Sequence, residues 1–203
     1  MQISIRQETE NDHKETENLT REAFWDVYKP GCDEHLIVNK LRSISGFVKE
    51  LDFVACVNDQ MVGNIMFSKA FVINEVKEKF EVLNLGPVSV LPSMQKKGIG
   101  KLLINHSITM ARDLKYIGIF LYGNPKYYSK YGFSNTRTYN IKTASDKYVD
   151  AFMCLELFHG SLNDVNGKYI YDTVFETTKE EVEEFEKGFP PKQKHKLSTQ
   201  IFG

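Results

Sequence analysis

Val88-Ser89-Val90-Leu91-Pro92-Ser93-Met94-Gln95-Lys96-Lys97-Gly98-Ile99-Gly100-Lys101-Leu102-Leu103 is the stretch on which the reading of the fold turns. Val88 and Val90 are β-branched and alternate, Pro92 cannot donate to a ladder, and Leu102, Leu103, Ser107, Met110 and Leu114 recur at helical spacing. A strand therefore feeds a helix through a glycine-bearing loop. The first N–H groups of such a helix lack partners within it and point at whatever lies in front, which makes the junction an anion site. Two nucleotide motifs are excluded by spacing. A Walker loop requires glycine where Gln95 stands and a hydroxyl where Leu102 stands, and a dinucleotide fingerprint requires a third glycine at Leu103.

The pattern Val90-Leu91-Pro92-Ser93-Met94-Gln95-Lys96-Lys97-Gly98-Ile99-Gly100 resembles the acetyl-coenzyme A loop of the GNAT superfamily of N-acetyltransferases, Val-x-Pro-x-x-Gln/Arg-x-x-Gly-x-Gly/Ala. The resemblance implies that the amides of Gln95, Lys96, Lys97, Gly98, Ile99, Gly100 and Lys101 hold the coenzyme A pyrophosphate. It also implies that Val88, Ser89 and Val90 present their backbone to the pantetheine arm, which inserts as a surrogate strand. Farther along, Tyr127-Tyr128-Ser129-Lys130-Tyr131-Gly132-Phe133 resembles the second signature of the superfamily, whose tyrosine four before the glycine is Tyr128. The segments 152–157, 160–162 and 167–171 resemble, more loosely, a subgroup of small bacterial members. The implied fold is α/β, with a mixed, mostly antiparallel sheet, a splayed central parallel strand pair and flanking helices.

The 203 residues suffice for one substantial core, and 41% hydrophobic with 26% charged residues is the composition of a globular domain. We expect a domain over 1–175 and a C-terminal helix with a basic tail over 176–203. A formal net charge of -1 gives no field that would mark a nucleic-acid or membrane-surface protein. Three cysteines without a Cys-x-x-Cys pair, and an N-terminus bearing Glu8, Glu10 and Asp12 instead of a basic-then-apolar leader, read as a reducing, cytoplasmic protein. The five histidines show no ligand spacing, so no metal site is expected. Oligomeric state is open, a homodimer included.

In chain order, Ile3 and Ile5 suggest a strand. Asn11-Asp12 then caps a helix carrying Leu19, Ala23, Phe24 and Val27 that is expected to run to Pro30-Gly31. A second helix follows Asp33 until Gly46, and 52–73 reads as a hairpin turning at Asn58-Asp59-Gln60. The strand 80–90 carries Gly86-Pro87 in its middle, so it should bulge or leave its neighbour there. Tyr116 to Tyr122 is a central strand parallel to it, and Asn124 with Pro125 opens a short helix. Asn140-Ile141, 151–157 and 168–175 read as closing strands. Thr178-Lys179-Glu180-Glu181 is a capping box, and the run Lys192, Lys194, His195, Lys196 reads as a solvated tail.

Acetyl transfer needs a free amine, a donor for the developing oxyanion and an acid for the leaving thiolate. A main-chain N–H near Val88 suits the oxyanion, and Tyr128 suits the acid because its phenol, ordinarily near pKa 10, can protonate a thiolate. Asn124 is both a helix cap and a candidate cofactor contact. Glu34, Glu50, Asp52 and Glu81 are equivalent as candidate bases at this stage. The acceptor is a small-molecule amine or a peptide amine. Two rival readings are a non-catalytic acyl-coenzyme A sensor and a protein acetyltransferase.

Overall fold

The computed structural model describes residues 2–200. Among the described residues nine strands form one sheet: β1 (Ile3–Gln7), β2 (Phe53–Val57), β3 (Gln60–Ile73), β4 (Lys79–Val90), β5 (Gly118–Tyr122), β6 (Ser134–Asn135), β7 (Ile141–Lys142), β8 (Phe152–Glu156) and β9 (Gly167–Ile170). The order is β1-β2-β3-β4-β5-β8-β6, with β9 beside the far end of β3 and β7 beside β9. The helices are α1 (His13–Phe24), α2 (Glu34–Leu41), α3 (Ile99–Asp113), α4 (Pro125–Tyr128) and α5 (Lys179–Glu186). β4 and β5 run parallel through the α3 crossover, and the pairs around them are antiparallel.

Side-chain alternation along β3 sends Ile65 and Phe67 to one face and Met66 to the other. The first pair packs under Leu103, Ile104 and Ile108 of α3, and Met66 packs under Ile37, Val38 and Leu41 of α2. The sheet is thus covered on both faces, and each fully buried aliphatic chain contributes about 1.5–3 kcal/mol. The β2–β3 hairpin turns at Asn58 and Asp59, both at positive φ (49° and 63°), the conformation of a type I′ turn whose twist suits two strands.

The strand carrying Gly86-Pro87 does bulge. Ile65 pairs with Val88 and Phe67 with Leu85, so Gly86 and Pro87 together face Met66 alone. On the other side the parallel ladder to β5 is limited to Leu83↔Ile119 and Asn84↔Phe120. Beyond Asn84 the two strands are no longer paired.

Three expectations are corrected. α1 stops at Phe24, well short of Pro30, because Asp26 turns the chain at φ 59° and its carboxylate accepts the Gly31 N–H at 2.7 Å, leaving Val27 in solvent. The run 168–175 is a strand only to Ile170, and Thr173–Phe175 is a 3-10 turn capped by Asp172. The basic run after Pro191 is docked along α1, with Lys192 paired to Glu22 at 2.7 Å and His195 to Asp26 at 2.8 Å. Trp25 Nε1 donates to the Gln193 carbonyl at 2.9 Å beside them. The pairs are remote in sequence, which is why a charge run looked like a free tail.

Candidate active site

Between Val90 and α3 the chain makes a 3-10 turn over Pro92–Met94, and Lys96 and Gly98 then take positive φ (61° and 88°). Alternating left- and right-handed residues turn successive N–H groups to one side. Leu102 is the first helical residue whose N–H is taken, by the Gly98 carbonyl at 3.0 Å. Among the described residues, the amides of Lys96, Lys97, Gly98, Ile99, Gly100 and Lys101 have no backbone or side-chain acceptor. Lys96, Lys97 and Lys101 stand exposed around them, whereas the Ile99 side chain is buried in the core, so Ile99 offers only its amide.

Upstream, the Leu91 N–H is bonded to Val62 of β3 at 3.0 Å. Alternation then aims Val88 and Val90 toward the side where β5 has withdrawn. Gln95 Nε2 donates to the Val90 carbonyl at 3.2 Å, so that carbonyl already carries a partner and keeps one lone pair for another. The Ser89 side chain turns the other way, with its Oγ 2.9 Å from Thr20 Oγ1 of α1, and contributes its backbone alone.

On α4, Asn124 caps the helix by accepting the Lys126 N–H at 2.9 Å, and Gly132 closes the following turn at φ 92°. Tyr127 and Tyr128 diverge. The Tyr127 hydroxyl lies 2.9 Å from where a Cβ on Gly100 would be, at the mouth of the amide loop. The Tyr128 ring lies on Gly123, where any Cβ would overlap it, and its hydroxyl has no hydrogen-bond partner among the described residues. Val88, Val90, Tyr127 and Tyr128 all pack against the core cluster under α3. Burial, with Tyr127, Tyr28 and Tyr131 nearby, pushes the Tyr128 phenol well above its ordinary value.

Structure separates the four carboxylates that sequence left equivalent. Glu81 pairs with Lys69 on the surface at 3.1 Å, and Glu50 sits with Lys69 and Tyr116 around a small cavity. Asp52 is buried against Glu8, whose carboxylate is held by Arg42 at 2.9 and 3.0 Å. Burial and the Glu8 charge push Asp52 up to about 9, so it keeps its proton. Glu34, at the start of α2, has no cation within 4 Å among the described residues, and burial with the adjacent Asp33 charge pushes it up to about 7. Its charge in turn raises the phenol of Tyr28. Sequence reasoning missed Tyr28, because the loop that carries it was taken for helix. His106 packs edge-on to Phe53 at 4.6 Å.

An open surface cavity of about 620 Å³ lies beside α4, lined by Pro125, Asn135, Arg137, Thr138 and Asp150, none of them residues of the amide loop. Among the described residues no cluster of three or more His, Cys, Asp or Glu could hold a metal ion, and no helix is long and apolar enough to cross a membrane.

A mixed sheet whose central parallel pair opens onto an amide-lined loop is the architecture of the acyl-coenzyme A N-acyltransferases. Residues 49–135, which run from before β2 through β6, match the family model described as an acetyltransferase (GNAT) domain. The structure is similar to the GNAT family N-acetyltransferase YhbS of Escherichia coli, solved in complex with CoA, with a TM-score of 0.77 and 22% identity over 87% of this chain and 93% of that one. It is also similar to a GNAT family acetyltransferase of Brucella melitensis, solved in complex with acetyl-CoA, with a TM-score of 0.69 and 28% identity over 86% and 99% of the two chains. A GNAT family acetyltransferase of Staphylococcus aureus shares the fold at a TM-score of 0.57 and 17% identity over 77% and 100%. No curated protein matches the chain in sequence.

Proposed function

We propose that this protein transfers an acetyl group from acetyl-CoA to a primary amine by direct attack within a ternary complex. The observation that carries the reading is the run of six unpartnered amides, Lys96 to Lys101, beside a β4 edge left unpaired after Asn84. An anion at the helix start and an amide-rich arm along the open strand would satisfy both together. The exposed Lys96, Lys97 and Lys101 supply positive charge for phosphates, and Asn124, exposed at the start of α4, serves as a further contact.

The amine nitrogen attacks the thioester carbonyl carbon, and the carbonyl oxygen becomes an oxyanion taken by a main-chain N–H near Val88. Collapse breaks the C–S bond, and the thiolate leaves with the proton of the Tyr128 hydroxyl, which is replenished from solvent. A phenol raised above its usual value is fully protonated at neutral pH, which suits a donor. The nitrogen loses its proton to a base on the acceptor side.

Calorimetry with acetyl-CoA and coenzyme A, followed by a thiol-release assay over an amine panel, tests this reading. Micromolar binding with amine-dependent release of coenzyme A is the expected result. Binding without release to any amine would instead indicate a sensor.

A further inference from the structure

Three side chains that the mechanism leaves idle, Arg137, Thr138 and Asp150, stand exposed around one space. With Pro125 and Asn135 they line the cavity of about 620 Å³ beside α4, a volume ordinary for a small-molecule site. Asn135 fixes two of its walls. Its Oδ1 accepts the Arg137 N–H at 3.0 Å, and its Nδ2 donates to the Val149 and Asp150 carbonyls at 3.0 and 3.3 Å. Both polar atoms of Asn135 are thereby committed to backbone, which leaves the chemistry of the cavity to a guanidinium, a hydroxyl and a carboxylate.

Arg137 is held in place. Its guanidinium lies 5.2 Å from the centre of the Tyr148 ring, whose hydroxyl donates to Asn140 Oδ1. Lys142 shares that ring at 5.8 Å, but its charge is met by Asp146 at 2.9 Å. Among the described residues neither Arg137 nor Asp150 has an oppositely charged partner within 4 Å, each other included. Two opposite charges thus share one cavity without pairing. A ligand of one sign meets one of them and is repelled by the other, whereas a ligand carrying both signs meets each. The guanidinium fork fits a carboxylate at two points.

The cavity also adjoins the candidate acid. Pro125 opens the helix that carries Tyr128. The Gly123 N–H donates at 2.8 Å to the carbonyl of Ala151, the residue after Asp150, and the Tyr128 ring lies on Gly123. Asp150 therefore stands one residue from the strand pair on which Tyr128 rests, while Arg137 follows β6, at the edge of the sheet.

We propose that this cavity is the acceptor site and that the acceptor is a small zwitterion of the amino-acid class, its carboxylate held by Arg137 with the Thr138 hydroxyl and its ammonium group by Asp150. This rests on the acetyltransferase reading above and narrows its acceptor. A polyamine would bring a row of positive charges past Arg137 with nothing to meet it. The zwitterion is oriented by the two charges so that its nitrogen, the atom to be acetylated, lies at the end nearer Tyr128.

The test measures coenzyme A release from enzyme saturated with acetyl-CoA, over the standard amino acids, the amide of each accepted one, and spermidine. The proteins are the parent, Arg137→Gln and Asp150→Asn. At least one amino acid should show a kcat/KM about tenfold or more above that of its amide and of spermidine, the loss expected for a bidentate ion pair. Arg137→Gln should make that amino acid and its amide equal, and Asp150→Asn should raise KM for the amino acid severalfold. Acetyl-CoA affinity by calorimetry should stay within about twofold of the parent in both variants. Release with spermidine or amides and with no amino acid, or discrimination that survives in folded Arg137→Gln, overturns the inference and leaves the acetyltransferase reading standing. Weakened acetyl-CoA binding in Arg137→Gln also overturns it and assigns the guanidinium to a coenzyme phosphate. A parent that binds no acetyl-CoA, or binds it and releases coenzyme A to no amine, defeats the acetyltransferase reading and the inference with it.

Discussion

Successive residues of a helix point roughly 100° apart, so Tyr127 and Tyr128 cannot serve one ligand group. Tyr127 reaches the mouth of the amide loop at Gly100, and the Tyr128 ring lies on Gly123. On the proposed mechanism the second is the acid. Tyr128→Phe should therefore lower turnover by about 10²-fold or more while leaving acetyl-CoA affinity within about twofold, since removing a positioned acid costs the chemical step and not the binding. Tyr127→Phe should leave turnover near the parent value. Steady-state kinetics on both, with an accepted amine, separate the two; equal turnover in Tyr128→Phe and the parent would remove the phenol from the mechanism.

The element that organises the site is β4 with its loop. Its bulge was legible in Gly86-Pro87, because proline cannot donate and glycine pairs weakly, and the register shift opposite Met66 falls at those two residues. Sequence could not give the length of the parallel ladder to β5, which ends after Asn84. That length depends on how β8 and α3 hold β5 in place, and these are contacts between remote segments. Gly98 joins the loop to α3 at φ 88°, with open space where a Cβ would stand. Gly98→Val places a branched side chain in front of the free amides and costs about 1–2 kcal/mol of backbone strain. Its coenzyme A dissociation constant should rise about tenfold or more, a loss of roughly 1.4 kcal/mol. Calorimetry on protein shown to be folded by circular dichroism checks this, and unchanged affinity would mean that the pyrophosphate does not sit there.

At the scale of the whole molecule, the α1–α2 layer is held to the sheet by a buried polar network. Arg42 binds both oxygens of Glu8 and reaches Glu17 at 3.0 Å, Asn39 donates to the same Glu17 oxygen at 2.8 Å, and Asp52 shares its proton with Glu8. Asp52 rises from its usual 3.8 to about 9, so between those values the native state binds a proton that the unfolded chain does not. Stability must then fall as pH rises through that window. Glu8, held below its usual value by Arg42, contributes the opposite slope at acid pH. We expect the thermal midpoint to decline from pH 6 to pH 9, and Asp52→Asn, which keeps a neutral hydrogen-bonding group, to flatten the decline. Melts across that range check it; an identical slope in the variant would assign the loss to other groups.

Sequence alone determined what local rules control. These are the strand, loop and helix around Gln95 to Gly100, the Asn124 cap, and the capping box from Thr178 to Glu181. Each depends on residues within a few positions, so propensity and spacing suffice. Tertiary structure alone decided which way Tyr128 faces and that, of the four candidate carboxylates, Glu81 is the one paired with a lysine. It also decided that Asp33 meets Thr177 and that the last basic residues lie along α1. Asp33 and Thr177 are 144 positions apart and Asp26 and His195 are 169 apart. No local pattern encodes such pairings, because they form only when packing of the sheet and its two helical layers brings distant segments within hydrogen-bond range.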